Sequence, residues 1–266
     1  MSRLRTALLH LVPVTGAVAN NRRLIEAGVR SAAAQGAHYV LTPELAVCGY
    51  EFDAVIGTAW IEPQPDAWMT AFCKLVKALG VTLFLSHPER DTVTGRLHNS
   101  LFAIGADGRI AGRHRKIHVL TGGAEGWSTG AAGHVAPVEC DGLTVGMLVC
   151  ADAFPSAPAR MLKAKGAQLL ISAAAWGPGL HEPSGEWEAR SLETGLPLIV
   201  CNRGGRDRTL DFTGAESIVA IAGQRVLSAR PERSVILTCE WDRETLTLLS
   251  SKWEVGEITV EDPGTV

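Results

Sequence analysis

Short apolar runs recur along the chain, each bounded by Gly, Pro or a polar residue. Thr6 to Val12, His38 to Leu41, Val81 to Ser86, Ser100 to Ile104, Thr144 to Val149, Gln168 to Ser172 and Pro197 to Cys201 are rich in Val, Leu and Ile, the pattern of buried strands. Between many of them apolar residues fall at helical spacing. Asn20 or Asn21 is placed to cap a helix that carries Leu24, Gly28 and Val29 on one side and ends at Gly36. Asp66 to Leu79, Ser156 to Lys165 and Pro183 to Thr194 have similar spacing. Two more strands, around Ser217 to Ile221 and Val235 to Cys239, occupy the later chain. Strands alternating with helices predict an α/β protein whose sheets are covered by helices.

No low-complexity linker or shift of composition divides the 266 residues, so one domain spanning 1–266 is expected. Gly122 to Gly133 is the one long irregular segment, and long loops in compact domains tend to be functional. The tail after Trp253, from about residue 254, is polar with Gly and Pro; it is either frayed or docked on another subunit.

Composition narrows the function classes. The chain is 46% hydrophobic and 20% charged, ordinary for a soluble globular protein. A net charge of −3 offers no general attraction to nucleic-acid phosphates or anionic membranes, so neither is expected as a partner. No apolar run approaches the roughly 20 residues of a membrane helix. Met1 to Leu11 is too short for a signal-peptide core and reads as a first strand. The six cysteines, 48, 73, 140, 150, 201 and 239, are scattered, which predicts reduced thiols in a cytoplasmic protein.

Several familiar sites have no sequence support. There is no C-x-x-C, H-E-x-x-H or G-x-x-x-x-G-K. Three places stand out instead, because a reactive group ends a strand, where α/β proteins present their chemistry. Glu44 follows Leu41-Thr42-Pro43; Lys116 sits in His114-Arg115-Lys116-Ile117-His118 after the strand-like Ile110 to Arg113; Cys150 closes the apolar run Gly146 to Val149 and leads into Ala151-Asp152. Taken singly, such a carboxylate is more often a helix cap, such a lysine a solvated turn residue, and such a cysteine core packing.

Taken together and in order, they resemble the nitrilase, or carbon–nitrogen hydrolase, superfamily, and in particular its amidase-like branch. Pro43-Glu44 with Gly49-Tyr50 is similar to the family's glutamate segment. Lys116-Ile117-His118, with Glu125 and Gly130 downstream, is similar to its lysine segment. Cys150-Ala151-Asp152 followed by Phe154-Pro155 is similar to its nucleophile elbow. Gly166-Ala167, Ala174-Ala175-Trp176, Ala189-Arg190 with Glu193, Asn202 with Gly204-Gly205, and Asp211-Phe212-Thr213-Gly214 continue the order through nearly the whole chain.

The resemblance implies a four-layer α-β-β-α sandwich, no metal or organic cofactor, and a homodimer or larger homo-oligomer. It implies Cys150 as nucleophile, Glu44 as proton carrier and Lys116, with the backbone N–H of Ala151, at the oxyanion. Glu125 would position the substrate or support Lys116. Trp176 would lie near the pocket or simply pack in the core, and Tyr50, Asp152 and His118 would be supporting groups. The implied substrate is a small linear carboxamide, hydrolysed to acid and ammonia through a thioester. An N-carbamoyl amine, then a nitrile, are the alternatives, with an idle binding protein as a rival of another class. Asp152 speaks against the nitrile-cleaving branch. The elbow departs from the family pattern: Ala151 replaces an aromatic residue, and Asp152-Ala153-Phe154 leaves no place for the arginine that many amidase-type members carry.

Overall fold

The computed structural model describes residues 2–120, 126–179 and 183–260. The predicted strands form two mixed sheets. The first contains β1 (Arg3–His10), β2 (Tyr39–Leu41), β3 (Thr82–Arg90), β4 (Leu97–Ile104), β5 (Ile110–Arg115), β12 (Val235–Asp242) and β13 (Glu254–Gly256), in the order β13-β12-β1-β2-β3-β4-β5. The second contains β6 (Val138–Cys140), β7 (Leu143–Val149), β8 (Leu169–Ala173), β9 (Leu198–Cys201), β10 (Ser217–Ile221) and β11 (Gln224–Ala229), in the order β11-β10-β9-β8-β7-β6. Helices α1 (Val18–Ala34) and α3 (Ala67–Leu79) cover the first sheet, and α4 (Ala157–Ala164) and α5 (Glu186–Thr194) the second; a single turn, α2 (Asp53–Ile56), lies in a connection. The fold is the four-layer α-β-β-α sandwich.

Strand alternation explains the layers. On β1, Leu4 and Leu8 join the cluster between the sheets, with Tyr39, Leu41, Phe84, Val145 and Met147. Ala7 and Leu9 point the other way, into a cluster with Ile25 and Val29 of α1 and Met69, Phe72 and Val76 of α3. Successive strand residues are thus buried on both faces, which is why these strands read as near-continuous apolar runs. Gly146 keeps α4 close to the second sheet, since a Cβ there would lie 2.7 Å from Leu170 Cδ2 and 3.1 Å from Leu162 Cβ.

Two helix starts differ from expectation: α5 begins at Glu186 rather than at Pro183, and α1 lacks its expected cap. Asp66 caps α3, accepting from Met69 N at 2.7 Å, and Gly80 ends it with φ +66°. Neither Asn20 nor Asn21 caps α1, which begins at Val18. Asn21 instead lies inside the first turn and uses its amide on the preceding loop. It accepts from Val14 N at 2.9 Å and donates to Val14 O at 2.8 Å and Val47 O at 3.2 Å. The tail enters as β13, antiparallel to β12, and Ile258 packs on the outer cluster; residues 261–266 lie outside the described residues.

All six cysteines are buried, and none is in a disulfide among the described residues. Among the described residues no helix is long and apolar enough to cross a membrane.

Burial also makes the fold acid-sensitive. His10 is fully buried, its Nδ1 at 3.0 Å from Ser217 Oγ. Desolvation first, then the charge of Arg203, pushes its pKa down to about 4. The unfolded chain takes up this proton below about pH 6.5 while the folded form resists until about 4. Stability contributed by neutral His10 is therefore complete above pH 6.5 and is lost as pH falls to about 4, a cost of about 3 kcal/mol. Urea midpoints measured between pH 7.5 and 4.5 are expected to fall steeply, and more shallowly in His10→Gln. Parallel slopes for the two proteins would contradict this.

Candidate active site

The two sheets bring three chain crossings to one end. Glu44 follows β2, Lys116 follows β5, and Cys150 follows β7. Adjacent to β7, parallel strand β8 pairs Ala173 with Val149, so its continuation, Ala174-Ala175-Trp176, leaves the sheet beside Cys150. That continuation grips the glutamate: Glu44 N donates to Ala174 O at 3.2 Å, and Ala175 N donates to Glu44 Oε2 at 3.0 Å. Glu44 Oε1 accepts from Lys116 Nζ at 2.9 Å and from Asn99 Nδ2 of β4 at 2.7 Å. Both side chains of the Glu44–Lys116 pair are 0% exposed. Donors converge on this carboxylate from three segments, which is what a buried ionised carboxylate requires.

Cys150 opens a 3₁₀ turn, Cys150–Ala153, and is 5% exposed. Its φ is +47°, a left-handed conformation that non-glycine residues rarely adopt. Leu45, directly after Glu44, has φ +50° and is held by its N–H donating to Ser86 Oγ at 2.9 Å. Positive φ at Asp141 and Ala222 belongs to tight hairpins; at Leu45 and Cys150 it lies beside the candidate reacting groups, where strain is characteristically retained.

Asp152 ties the cysteine turn to the lysine segment. Its Oδ1 accepts from Ile117 N at 2.9 Å and His118 N at 2.8 Å. Its Oδ2 accepts from Val149 N at 3.0 Å and from His114 Nε2 at 2.7 Å. Burial alone would raise this carboxyl, but the hydrogen bond and charge of His114 and the backbone donors hold it below the usual carboxylate range. Val149, before Cys150, and Ile117 and His118, after Lys116, are therefore fixed to one carboxylate. Asp152→Asn puts an amide N–H₂ where one pair of donors now points. We expect it to lower unfolding free energy by about 2–5 kcal/mol, read from the denaturant midpoint, because buried donors lose their acceptor. An unchanged midpoint would mean the bracket is dispensable.

The remaining predicted residues are placed as follows. Ala151 is the second residue of the cysteine turn, 1% exposed, its carbonyl accepting from Phe154 N at 3.0 Å. Tyr50 presents its ring 6.0 Å from Lys116 Nζ, within cation–π range. Trp176 is buried, with its ring 4.7 Å from Phe154 and 5.0 Å from Trp187, so it packs in the core and borders the cysteine turn at once. Asn202 holds its backbone, accepting from Trp176 N at 3.1 Å and donating to Trp176 O at 2.8 Å. His118 gives Asp152 its backbone N–H, and its ring lies 5.7 Å from Phe154. Glu125 lies outside the described residues.

Several supporting groups went unread in the sequence. Asn99 and His114 are polar residues inside strands, with nothing local to say what they face. Asp207 accepts from Tyr50 N at 2.6 Å and Glu51 N at 3.0 Å, and from Arg203 Nη2 at 2.8 Å in a fully buried ion pair. Glu51 returns the grip, accepting from Thr209 N at 2.7 Å and Leu210 N at 3.2 Å. This reciprocal clamp fixes the segment carrying Tyr50. The turn lacking an arginine is held from outside instead: Arg190 of α5 donates to Ala153 O and Phe154 O, each at 2.8 Å. A small aromatic cleft beside Tyr50 is lined by Phe52, Asp53, Leu97 and Trp127. Among the described residues no group of three His, Cys, Asp or Glu side chains is placed to hold a metal ion.

Residues 5–250 match the carbon–nitrogen hydrolase family model. A citrullinase of Francisella tularensis is 28% identical over 84% of this chain and 84% of its own length. An omega-amidase of Danio rerio is 27% identical over 89% of this chain and 87% of its own. Among solved structures, a branch 10 nitrilase-superfamily protein of Saccharomyces cerevisiae superposes with TM-score 0.79 at 21% identity, covering 92% of both chains. An amidase from Nesterenkonia sp. AN1 superposes with TM-score 0.77 at 24% identity, over 91% of this chain and 92% of its own. That amidase was captured as a glutamate-to-glutamine mutant with the acetamide moiety of fluoroacetamide added covalently to its active-site cysteine.

Proposed function

The chain belongs to the carbon–nitrogen hydrolase family, and we propose that it hydrolyses a small linear carboxamide to its carboxylic acid and ammonia, with Cys150 as nucleophile. The observation that carries this reading is the buried Glu44–Lys116 pair, 2.9 Å apart, held by Ala175 beside the strained cysteine turn. A free thiol is only a few per cent ionised at pH 7, so a cysteine nucleophile gains from a base and a cation placed in advance.

In the proposed reaction Glu44 takes the Cys150 proton as sulfur attacks the amide carbon. The carbonyl π electrons move to oxygen, which Lys116 and the Ala151 N–H stabilise; each such donor is worth about 2.7–4 kcal/mol. The tetrahedral species collapses, the C–N bond breaks, and Glu44 returns the proton to the departing nitrogen, releasing ammonia and leaving a thioester. Water then attacks that thioester, giving its proton to Glu44, and the acid leaves as the proton returns to sulfur. Proton transfer of this kind contributes roughly 10²–10⁴-fold.

The likeness to a citrullinase supports a second reading, an N-carbamoyl amine as substrate. Its hydrolysis releases carbon dioxide with ammonia and an amine, whereas a carboxamide releases ammonia and an acid. Purified protein offered both panels is expected to release ammonia from simple amides without carbon dioxide. Stoichiometric carbon dioxide would establish the carbamoyl reading, and absence of turnover on either panel would remove both.

A further inference from the structure

Outside the Cys150 turn, the exposed end of β5 borders a cavity of about 230 Å³. Its cationic lining is Arg96, Arg113 and Arg115, with His98, His114 and His134 beside them; Asp91 is its one carboxylate. Asp91 is already engaged, by Arg115 Nη1 at 2.8 Å and by the N–H groups of Val93 and Thr94. Beneath the lining, fully buried Glu89 accepts from Arg113 Nη1 at 2.7 Å and from Ser100 Oγ at 2.9 Å, and pairs with Arg115. These carboxylates hold two of the guanidinium groups in place rather than filling the cavity. Each guanidinium carries five N–H donors in a planar fork, so donors remain after the pairing. Arg96 is exposed, and its side chain forms none of the ion pairs found among the described residues.

His114 joins this cavity to the candidate active site. It borders the cavity, is itself 5% exposed, and its Nε2 lies 2.7 Å from Asp152 Oδ2. Arg113 and Arg115 flank it on β5 and turn to the opposite face, toward Glu89. Asp152 in turn fixes Val149, Ile117 and His118. We propose that the cavity is a second binding site, for a small oxyanion such as a carboxylate or phosphate, and that its occupancy alters Cys150 through the His114–Asp152 contact.

Inorganic phosphate at constant ionic strength is the probe. Isothermal titration is expected to show saturable binding to the full chain, retained in Cys150→Ala and weakened about tenfold or more in Arg96→Ala/Arg113→Ala, since charge-assisted contacts are removed. Arg96→Ala alone, at an exposed position, is the companion variant if the pair fails to fold, with a smaller weakening in the same direction. Phosphate is also expected to change the rate of Cys150 alkylation by iodoacetamide in wild type and not in the arginine variant. Absence of saturable binding, binding untouched by the arginine substitutions, or binding lost in Cys150→Ala would each overturn the site. Binding with unchanged alkylation would overturn the link. The titration needs no turnover, so it stands or falls apart from the proposed reaction.

Discussion

Cys150→Ala is expected to lose turnover by roughly 10⁴–10⁶-fold on every amide that wild type hydrolyses, because removing the attacking atom removes the covalent route altogether. Mass spectrometry of the intact protein with fluoroacetamide distinguishes this from a general defect. Wild type is expected to gain one acetamide-sized adduct as the Cys150 sulfur displaces fluoride, the thiol proton leaving with it, and the variant none. The five other cysteines are buried, and burial pushes Cys140 up to about 12 and Cys239 up to about 11, so they compete poorly as thiolates. Backbone geometry adds a second readout. At φ +47° alanine carries the left-handed penalty and glycine does not. Cys150→Gly should therefore be as inactive as Cys150→Ala yet about 1 kcal/mol more stable toward urea. Residual turnover in either variant, or an adduct on another cysteine, would refute Cys150 as nucleophile.

Such a test could be designed from the sequence because the groups concerned end buried strands. A strand closed in on both faces reads as an unbroken apolar run, and Cys150 and Glu44 each follow one. The ordered segments around them carried the family and, with it, the four layers. What the sequence withheld depends on contacts between distant positions. Asn99 lies between His98 and Ser100 in β4, and His114 between Arg113 and Arg115 in β5; only the fold reveals that they face Glu44 and Asp152. The Asp207 clamp joins segments some 150 residues apart, which no local pattern encodes. The β6–β7 hairpin is a different case. Asp141-Gly142, with φ values of +49° and +77°, is the two-residue turn that Asp-Gly favours. Its signal was present but weak, because β6 spans only three residues. Ala222-Gly223 makes a similar turn before β11, whose first three residues are exposed and so lack an apolar run. The elbow's missing arginine is a third case: the sequence shows the gap, while the support from Arg190 comes from a helix about forty residues on.

The Glu44–Lys116 pair separates catalysis from stability more sharply than any single residue can. Both charges are fully buried, so removing one strands the other, at about 3–5 kcal/mol. Glu44→Gln turns an amide N–H₂ toward either Ala175 N–H or the Asn99 and Lys116 donors, and Lys116→Met leaves the carboxylate without its cation. Each single substitution is expected to lower the unfolding free energy by that amount and kcat/KM by about 10²–10⁴-fold. Glu44→Gln/Lys116→Met removes both charges together. Its stability loss should fall short of the sum of the singles by more than about 1 kcal/mol, since neither charge is left unpaired. Its activity should recover nothing, because proton carrier and oxyanion partner are both gone. A double variant as unstable as the sum would mean that the two groups are held independently. A double variant that regained turnover would show that the pair had served the fold alone, and would move the chemistry away from this end of the sheets.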